Sequence, residues 1–359
     1  MRTPSKLSLA ITATILTGMF AAGTTAASGH GRSASNASIA AAEAWAFPVF
    51  PPPPDPHAPK PNPDSVLHVT GSTVTYTQAE FSDTNPDWFP EDHPPVPHIV
   101  ADGRKPARAC AECHTISGAG VPATATLDSL PKAYIRAQLA AFQAGERGMG
   151  GPATVHDMVD EARALSPADA QQAIDYFSAT QFVPRVRVIE AAMVPKTHWK
   201  FFVRVPDTDG AREPIGDRII ETPVDFRDYS HADGHVSYIA YVPPGSIAHG
   251  ASIANKGAGA AAACESCHGA HLEGSNMPGI GVVPPLAGRS PTYIARELIL
   301  FHLDRRTDPA AAPMRVEAAQ LTVPEMVAVA AYAASVRPES ARPRVNAASR
   351  AWVRQHVVQ

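Results

Sequence analysis

A chain of 359 residues has room for two domains or more. Its formal charge of -4 excludes a nucleic-acid partner read from electrostatics, and 45% hydrophobic content supports ordinary cores. Thirty-six prolines, unevenly spread, point to extended connections rather than one seamless fold.

The first 28 residues form a targeting pattern. Arg2 and Lys6 make a positive start, Leu7 to Gly23 is apolar and small, and Thr24 to Ser28 offers small residues for cleavage. The apolar run is short, and diluted by Thr and Ser, for a membrane span of about 20 residues. It reads as a signal peptide over 1–28. Residues 29–97 read as a proline-rich extended arm. Ala- and Ser-rich chain runs to Ala46, followed by Phe47-Pro48-Val49-Phe50 and four consecutive prolines. Such sequence favours polyproline II and buries little surface. It is either a tether or an arm packed on the next domain through Trp45, Phe47 and Phe50. Trp88 to His98 reads as wrapping chain too. His93 and His98 are candidate ligands there, although solvated histidines are commoner.

A helical unit is expected over 98–184. It opens with Cys110-Ala111-Glu112-Cys113-His114, a C-x-x-C-H pattern. Two thiols three residues apart on one helical turn can each form a thioether to a vinyl group of one porphyrin. The histidine that follows lies where its imidazole can ligate the iron. A helix is then expected over Pro131 to Gly145, with Tyr134, Ile135, Leu139 and Phe142 as its apolar stripe. After a Gly- and Met-rich loop, a last helix starts at Ser166-Pro167-Ala168-Asp169 and carries Ala173, Ile174, Tyr176 and Phe177.

Residues 185–244 show partial alternation of β-formers in Trp199 to Val205 and Val236 to Val242, which predicts short strands. The segment is either an ordered linker across both helical units or a docking surface for a redox partner.

A second unit is expected over 245–336, before a tail at 337–359. It contains Cys264-Glu265-Ser266-Cys267-His268, 154 residues after the first motif (110 to 264). That separation is too long for a zinc ribbon, and a redox pair needs no histidine. Tyr293-Ile294, Leu298 and Phe301 repeat Tyr134-Ile135, Leu139 and Phe142 at an offset of 159 (134 to 293). The Leu321 to Glu325 block repeats Leu165 to Asp169 at 156 (165 to 321), and Tyr332 repeats Tyr176. The halves are tandem copies of one domain. The motifs use all four cysteines, so two covalently bound haem c groups are expected. Cys110, Cys113, Cys264 and Cys267 are the attachment points, and His114 and His268 the proximal ligands.

For the sixth ligand the candidates are Met149, His156 and Met158 in the first unit, and Met277 and Met314 in the second. Met158 and Met314 share the offset of 156 (158 to 314), each seven residues before the leucine that opens the last helix. These two are expected to ligate. Met277 follows His268 too closely, and Met326 belongs to the last helix as core. Proximal histidines are oriented by a partner on the other ring nitrogen. Pro284 and Ala125 occupy equivalent places before Leu286 and Leu127, and this difference predicts inequivalent potentials.

From His98 to the end of the second unit, the chain resembles bacterial two-haem class I cytochromes c of the cytochrome c-four and c-553-like group. The resemblance rests on Ala109 to His114, Ala263 to Gly269, Pro284-Pro285-Leu286-Ala287-Gly288, Tyr293-Ile294 with its helix, and the Met314 to Tyr332 block. The first half departs from it in lacking a proline at Ala125 and a glycine after His114. The resemblance implies a mainly α fold of two tandem class I cytochrome c domains, related by pseudo-twofold packing. It also implies a periplasmic role in electron transfer. Partners would be a donor dehydrogenase or quinol-oxidising complex and an acceptor oxidase or reductase, with membrane association only through them. Methionine ligation on both irons leaves no open position, which favours an electron carrier over an enzyme. The alternatives are a cytochrome subunit of a larger dehydrogenase and a dihaem peroxidase. The sequence contains no catalytic triad, phosphate-binding loop or paired-carboxylate constellation that outranks these readings.

Overall fold

The computed structural model describes residues 34–49, 59–149 and 156–339. The expected signal peptide, Phe50 and the run of four prolines lie outside the described residues, as does the tail from 340 onward.

The arm differs from the extended chain expected of it. Asn36–Ala46 is a helix, α1, capped by the Ser35 side chain, which accepts from the Ser38 N–H. Its alanines have the highest helix propensity, and that local preference outweighs low complexity. Ile39, Ala42, Trp45 and Ala46 are buried, and Phe47 joins them in the main core. Further on, β1 (Val66–Leu67) pairs antiparallel with β2 (Tyr76–Thr77). The short helix α2 (Gln78–Asp83) follows from a Thr77–Glu80 capping box. Val69, Trp88 and Phe89 form a small core of their own, with Tyr76 edge-on to Trp88 at 4.9 Å. The arm is therefore part helix and part folded loop.

The first repeat consists of α3 (His98–Ala101), α4 (Ala111–His114), α5 (Lys132–Ala144), α6 (Asp157–Ala164) and α7 (Pro167–Ala179). Gly145, left-handed at φ 73°, stops α5, and Ser166 caps α7 by accepting from the Asp169 N–H. Ile99, Ile116, Ile135, Ile174 and Phe177 fill the core between them.

The intervening segment is built from short strands: β3 (Val186–Glu190), β4 (Met193–Pro195), β5 (Thr197–Lys200), β6 (Val203–Pro206), β7 (Arg212–Pro214), β8 (Ile220–Pro223) and β9 (Tyr238–Val242), with a one-turn helix α8 (Phe226–Ser230). β9 is the centre of a three-stranded sheet, parallel to β3 and antiparallel to β8. The stretch from Trp199 to Val205 is a hairpin rather than one strand. It turns at Phe201-Phe202, whose φ values of 46° and 65° reverse the chain. The segment touches both repeats. Arg185 lies 3.5 Å from Asp128, and the Ser290 hydroxyl donates to Glu221 at 2.8 Å.

The second repeat comprises α9 (Ser246–Lys256), α10 (Glu265–His268), the antiparallel pair β10 (Ser275–Met277) and β11 (Gly281–Val283), then α11 (Pro291–His302), α12 (Ala312–Ala319) and α13 (Val323–Ser335). Both α7 and α13 have 13 residues, and α6 and α12 both have eight. α9 crosses α13 at Gly250, where a Cβ would lie 1.9 Å from the Ala328 carbonyl oxygen. The repeats meet along a seam in which the Thr307 N–H donates to the Glu146 carbonyl at 2.7 Å.

Candidate haem-attachment sites

Each C-x-x-C-H motif forms a single helical turn with nearly the same geometry. Cys110 has φ -59° and ψ -34°, and Cys264 has φ -59° and ψ -36°. The N–H of His114 closes the first turn on the Cys110 carbonyl at 2.9 Å, and that of His268 closes the second on Cys264 at 2.8 Å. Burial pushes the Cys110 thiol up to about 12 and that of Cys264 to about 11.

The imidazoles that end the two motifs are buried, at 7% exposure for His114 and 6% for His268. The Nδ1–H of His114 donates to the Ala125 carbonyl at 2.9 Å, and that of His268 donates to the Pro284 carbonyl at 2.9 Å. A carbonyl only accepts, so Nδ1 carries the proton and Nε2 keeps a free lone pair. Burial holds both rings below the usual histidine range, which keeps Nε2 unprotonated at pH 7. This donor set fits a haem: two thiols on one turn and one oriented imidazole nitrogen for the iron. The Pro284 and Ala125 difference leaves the length of this hydrogen bond unchanged.

The residue after each histidine is in the positive-φ region, at φ 60° for Thr115 and 80° for Gly269. Glycine adopts this freely, whereas a β-branched residue is strained there. The Thr115 hydroxyl offsets part of that strain by donating to the His114 carbonyl at 2.6 Å.

Met158 lies in the first turn of α6 and Met314 in the first turn of α12, both half-buried. Met314 packs on the same core as Cys264. Met149 is exposed, at 46%. Met277 is half-buried on β10, and Met326 is core within α13. His156, just before α6, has a buried Nε2 with no hydrogen-bond partner among the described residues. His93 is committed elsewhere, with Nδ1 2.9 Å from the Pro94 carbonyl and Nε2 3.0 Å from Asp87. His98 is exposed, 3.8 Å from Asp102. His302 donates to the Ala318 carbonyl at 3.0 Å, as Gln143 at the equivalent place does to Ala162 at 2.9 Å. A glutamine in the same role marks that histidine as a helix clamp.

Reading the sequence for chemistry passed over the polar residues of the seam and of the first proximal loop. Arg147 and Arg306 repeat at the offset of 159 (147 to 306), so the same alignment that found the helices contained them. Arg289 and Arg296 have no arginine at that offset, and sequence offers no signal for them.

No protein-family model matches the chain, and no curated protein is significantly similar to it. Among solved structures, it is similar to a thiosulfate dehydrogenase (TsdBA) from Marichromatium purpuratum, in its as-isolated form. Identity is 26% over 67% of this chain, with a TM-score of 0.41, and the chain spans 39% of that protein's length. It is also similar to the cytochrome c4 of Acidithiobacillus ferrooxidans, at 23% identity over 63% of this chain and 98% of that one, with a TM-score of 0.41. Reduced recombinant cytochrome c4 from Pseudomonas stutzeri gives 20% identity over 64% and 93%, with a TM-score of 0.39. Among the described residues, no helix is long and apolar enough to cross a membrane.

Proposed function

We propose that this chain is an exported dihaem c-type cytochrome that carries single electrons between redox proteins in the periplasm. The observation that supports it is the matched pair of buried imidazoles, His114 and His268. Each follows a C-x-x-C turn and donates Nδ1–H to a backbone carbonyl at 2.9 Å. When bound, haem c supplies a reversible one-electron couple at its iron. Cys110 and Cys113 anchor the first porphyrin, and Cys264 and Cys267 the second. His114 and Met158 would supply ligands to the first iron, and His268 and Met314 to the second. Methionine favours the reduced iron and leaves no position for peroxide or oxygen, which favours a carrier. The donor is a dehydrogenase or quinol-oxidising complex, and the acceptor an oxidase or reductase. Residues 1–28 direct export.

The test is the mass and optical spectrum of the purified, exported protein. Two porphyrin additions and a low-spin spectrum in both oxidation states are expected. A colourless protein overturns the reading. A high-spin fraction that reacts with peroxide would make it a peroxidase. Reduction only within a tightly bound catalytic partner would make it a dehydrogenase subunit.

A further inference from the structure

The proximal loop of the first repeat is held from outside that repeat. Arg296, on α11, is 3% exposed. Its Nε donates to the Ala46 carbonyl at 3.0 Å, its Nη1 to Ala123 at 2.7 Å and its Nη2 to Pro122 at 2.8 Å. Arg289, just before α11, is 7% exposed. Its Nη1 donates to the Thr126 carbonyl at 3.0 Å and its Nη2 to that of Asp128 at 3.1 Å. These acceptors bracket Ala125, whose carbonyl takes the Nδ1–H of His114. Each proximal loop also has a backbone anchor of its own: in the first, the N–H groups of Leu127 and Asp128 donate to the Gly118 carbonyl at 2.7 and 3.2 Å. The second has the same kind of anchor. It leaves the β10–β11 pair at Val283, and the N–H groups of Leu286 and Ala287 donate to the Leu272 carbonyl at 2.8 and 3.1 Å.

Arg185, Arg289 and Arg296 gather at the first loop with Asp128, Glu221 and Asp233. Asp128 lies 3.5 Å from Arg185 and 3.7 Å from Arg289, Glu221 accepts from the Ser290 hydroxyl and the Thr292 N–H, and Asp233 faces Arg185. The cluster as a whole is balanced, but the two guanidiniums bonded to the loop around Ala125 are the cations that stand beside the first centre. In a buried, low-dielectric setting a charge acts over longer range than in water. Oxidising an iron adds positive charge, so cations placed nearer to it than their counter-charges disfavour the oxidised form. By bonding the carbonyls on either side of Ala125, the guanidiniums also fix where the Ala125 carbonyl meets the Nδ1–H of His114.

Resting on the reading that His114 ligates a haem iron, we propose that Arg289 and Arg296 are positioning residues for the first centre. They fix the loop that orients His114 and raise that centre's midpoint potential, while the second centre is left to its own hairpin.

The test is a redox titration of the haem-loaded full chain followed by NMR. The amide of Leu127 reports the first centre and that of Leu286 the second. In Arg296→Gln and Arg289→Gln the Leu127 midpoint falls and the Leu286 midpoint stays. Arg296→Lys keeps the charge and restores most of the shift. Asp128→Asn, read at pH 8, removes a negative charge with little change of shape and moves the Leu127 midpoint upward, so the proposal stays testable if the glutamine variants fail to fold. An unmoved Leu127 midpoint in folded, coloured protein overturns it, as does equal movement at both amides. Loss of haem from the parent protein instead would sink the reading on which it rests.

Discussion

Arg147 and Arg306 pair as an isolated antiparallel bridge across the seam between the repeats. They occupy equivalent places in the two copies (147 to 306), and so do Gln138 and Glu297 (138 to 297). Both guanidiniums reach the Gln138 side-chain oxygen, at 2.6 and 2.7 Å, and both reach the Glu297 carboxylate, at 3.1 and 2.5 Å. Each arginine also lies over its own repeat's phenylalanine, Arg147 over Phe142 at 4.6 Å and Arg306 over Phe301 at 4.3 Å. The seam is thus a local pseudo-twofold. Its symmetry breaks at one pair, an amide facing a carboxylate, and that carboxylate is the anion the two cations share.

Glu297→Gln should therefore be costly. It leaves two buried guanidiniums without their counter-charge, and a loss of about 3–5 kcal/mol is expected from denaturant unfolding at pH 7. Burial alone would raise the Glu297 carboxyl, but Arg147 and Arg306 outweigh it and hold it at about 2. The folded value lies below the ordinary 4.5, so this contribution is present above pH 4.5 and lost as pH falls towards 2. Wild type should lose stability across that window, and Glu297→Gln should lose less. Equal acid sensitivity in the two proteins would refute the account.

Thr115→Gly should stabilise the apoprotein. Thr115 sits at φ 60° and ψ 161°, a region that belongs almost wholly to glycine, while Gly269 fills the equivalent place. Relief of strain should exceed the lost hydroxyl bond to His114, giving a gain of about 1 kcal/mol in a urea melt. A loss of stability would show that the hydroxyl matters more than the backbone.

Gly250→Ala should do the opposite. Its methyl would stand 1.9 Å from the Ala328 carbonyl oxygen, so α9 and α13 must move apart. A cost of about 1–3 kcal/mol is expected, with a lower urea midpoint. An unchanged midpoint would mean that this crossing is looser than the structure shows.

Met314→Ala should open the second iron to carbon monoxide and leave the first alone, while Met314→His should lower the second midpoint. Met158→Ala should do for the first iron what Met314→Ala does for the second. If the buried, unpartnered Nε2 of His156 closes the first site instead, Met158→Ala leaves the spectrum unaltered and His156→Ala changes it.

His93 should brace the end of the arm, where it meets the first repeat, in a pH-dependent way. Burial disfavours its charge, but the bonds to Asp87 and to the Pro94 carbonyl prevail and raise its pKa above 6.5. Its ring lies edge-on to Tyr176 of α7, at 6.0 Å between ring centres. The stabilisation is complete below pH 6.5 and declines as pH rises through the raised value. Hydrogen exchange around Trp88 should quicken over that range in wild type. Asp87→Asn should weaken this pH dependence and His93→Gln should abolish it; persistence in His93→Gln would rule out His93 as the origin.

The sequence by itself determined what depends on neighbours along the chain. The spacing within Cys110 to His114 and Cys264 to His268 fits one helical turn, so the matching turns of the two motifs were legible. Caps such as Ser166 and Thr322, and stripes such as Tyr134 to Phe142, act over one or two turns, so the repeated helices were legible too. The helix of the arm was locally encoded in its alanines, but the proline run beside it masked the signal. Only tertiary structure decided which groups far apart in sequence meet. Arg296 closes on carbonyls at 122 and 123, more than 170 residues away, and α1 lays Trp45 and Phe47 into the core of the second repeat. A backbone carbonyl has the same chemistry at every position. Which one accepts a buried cation is therefore settled by packing and not by residue type.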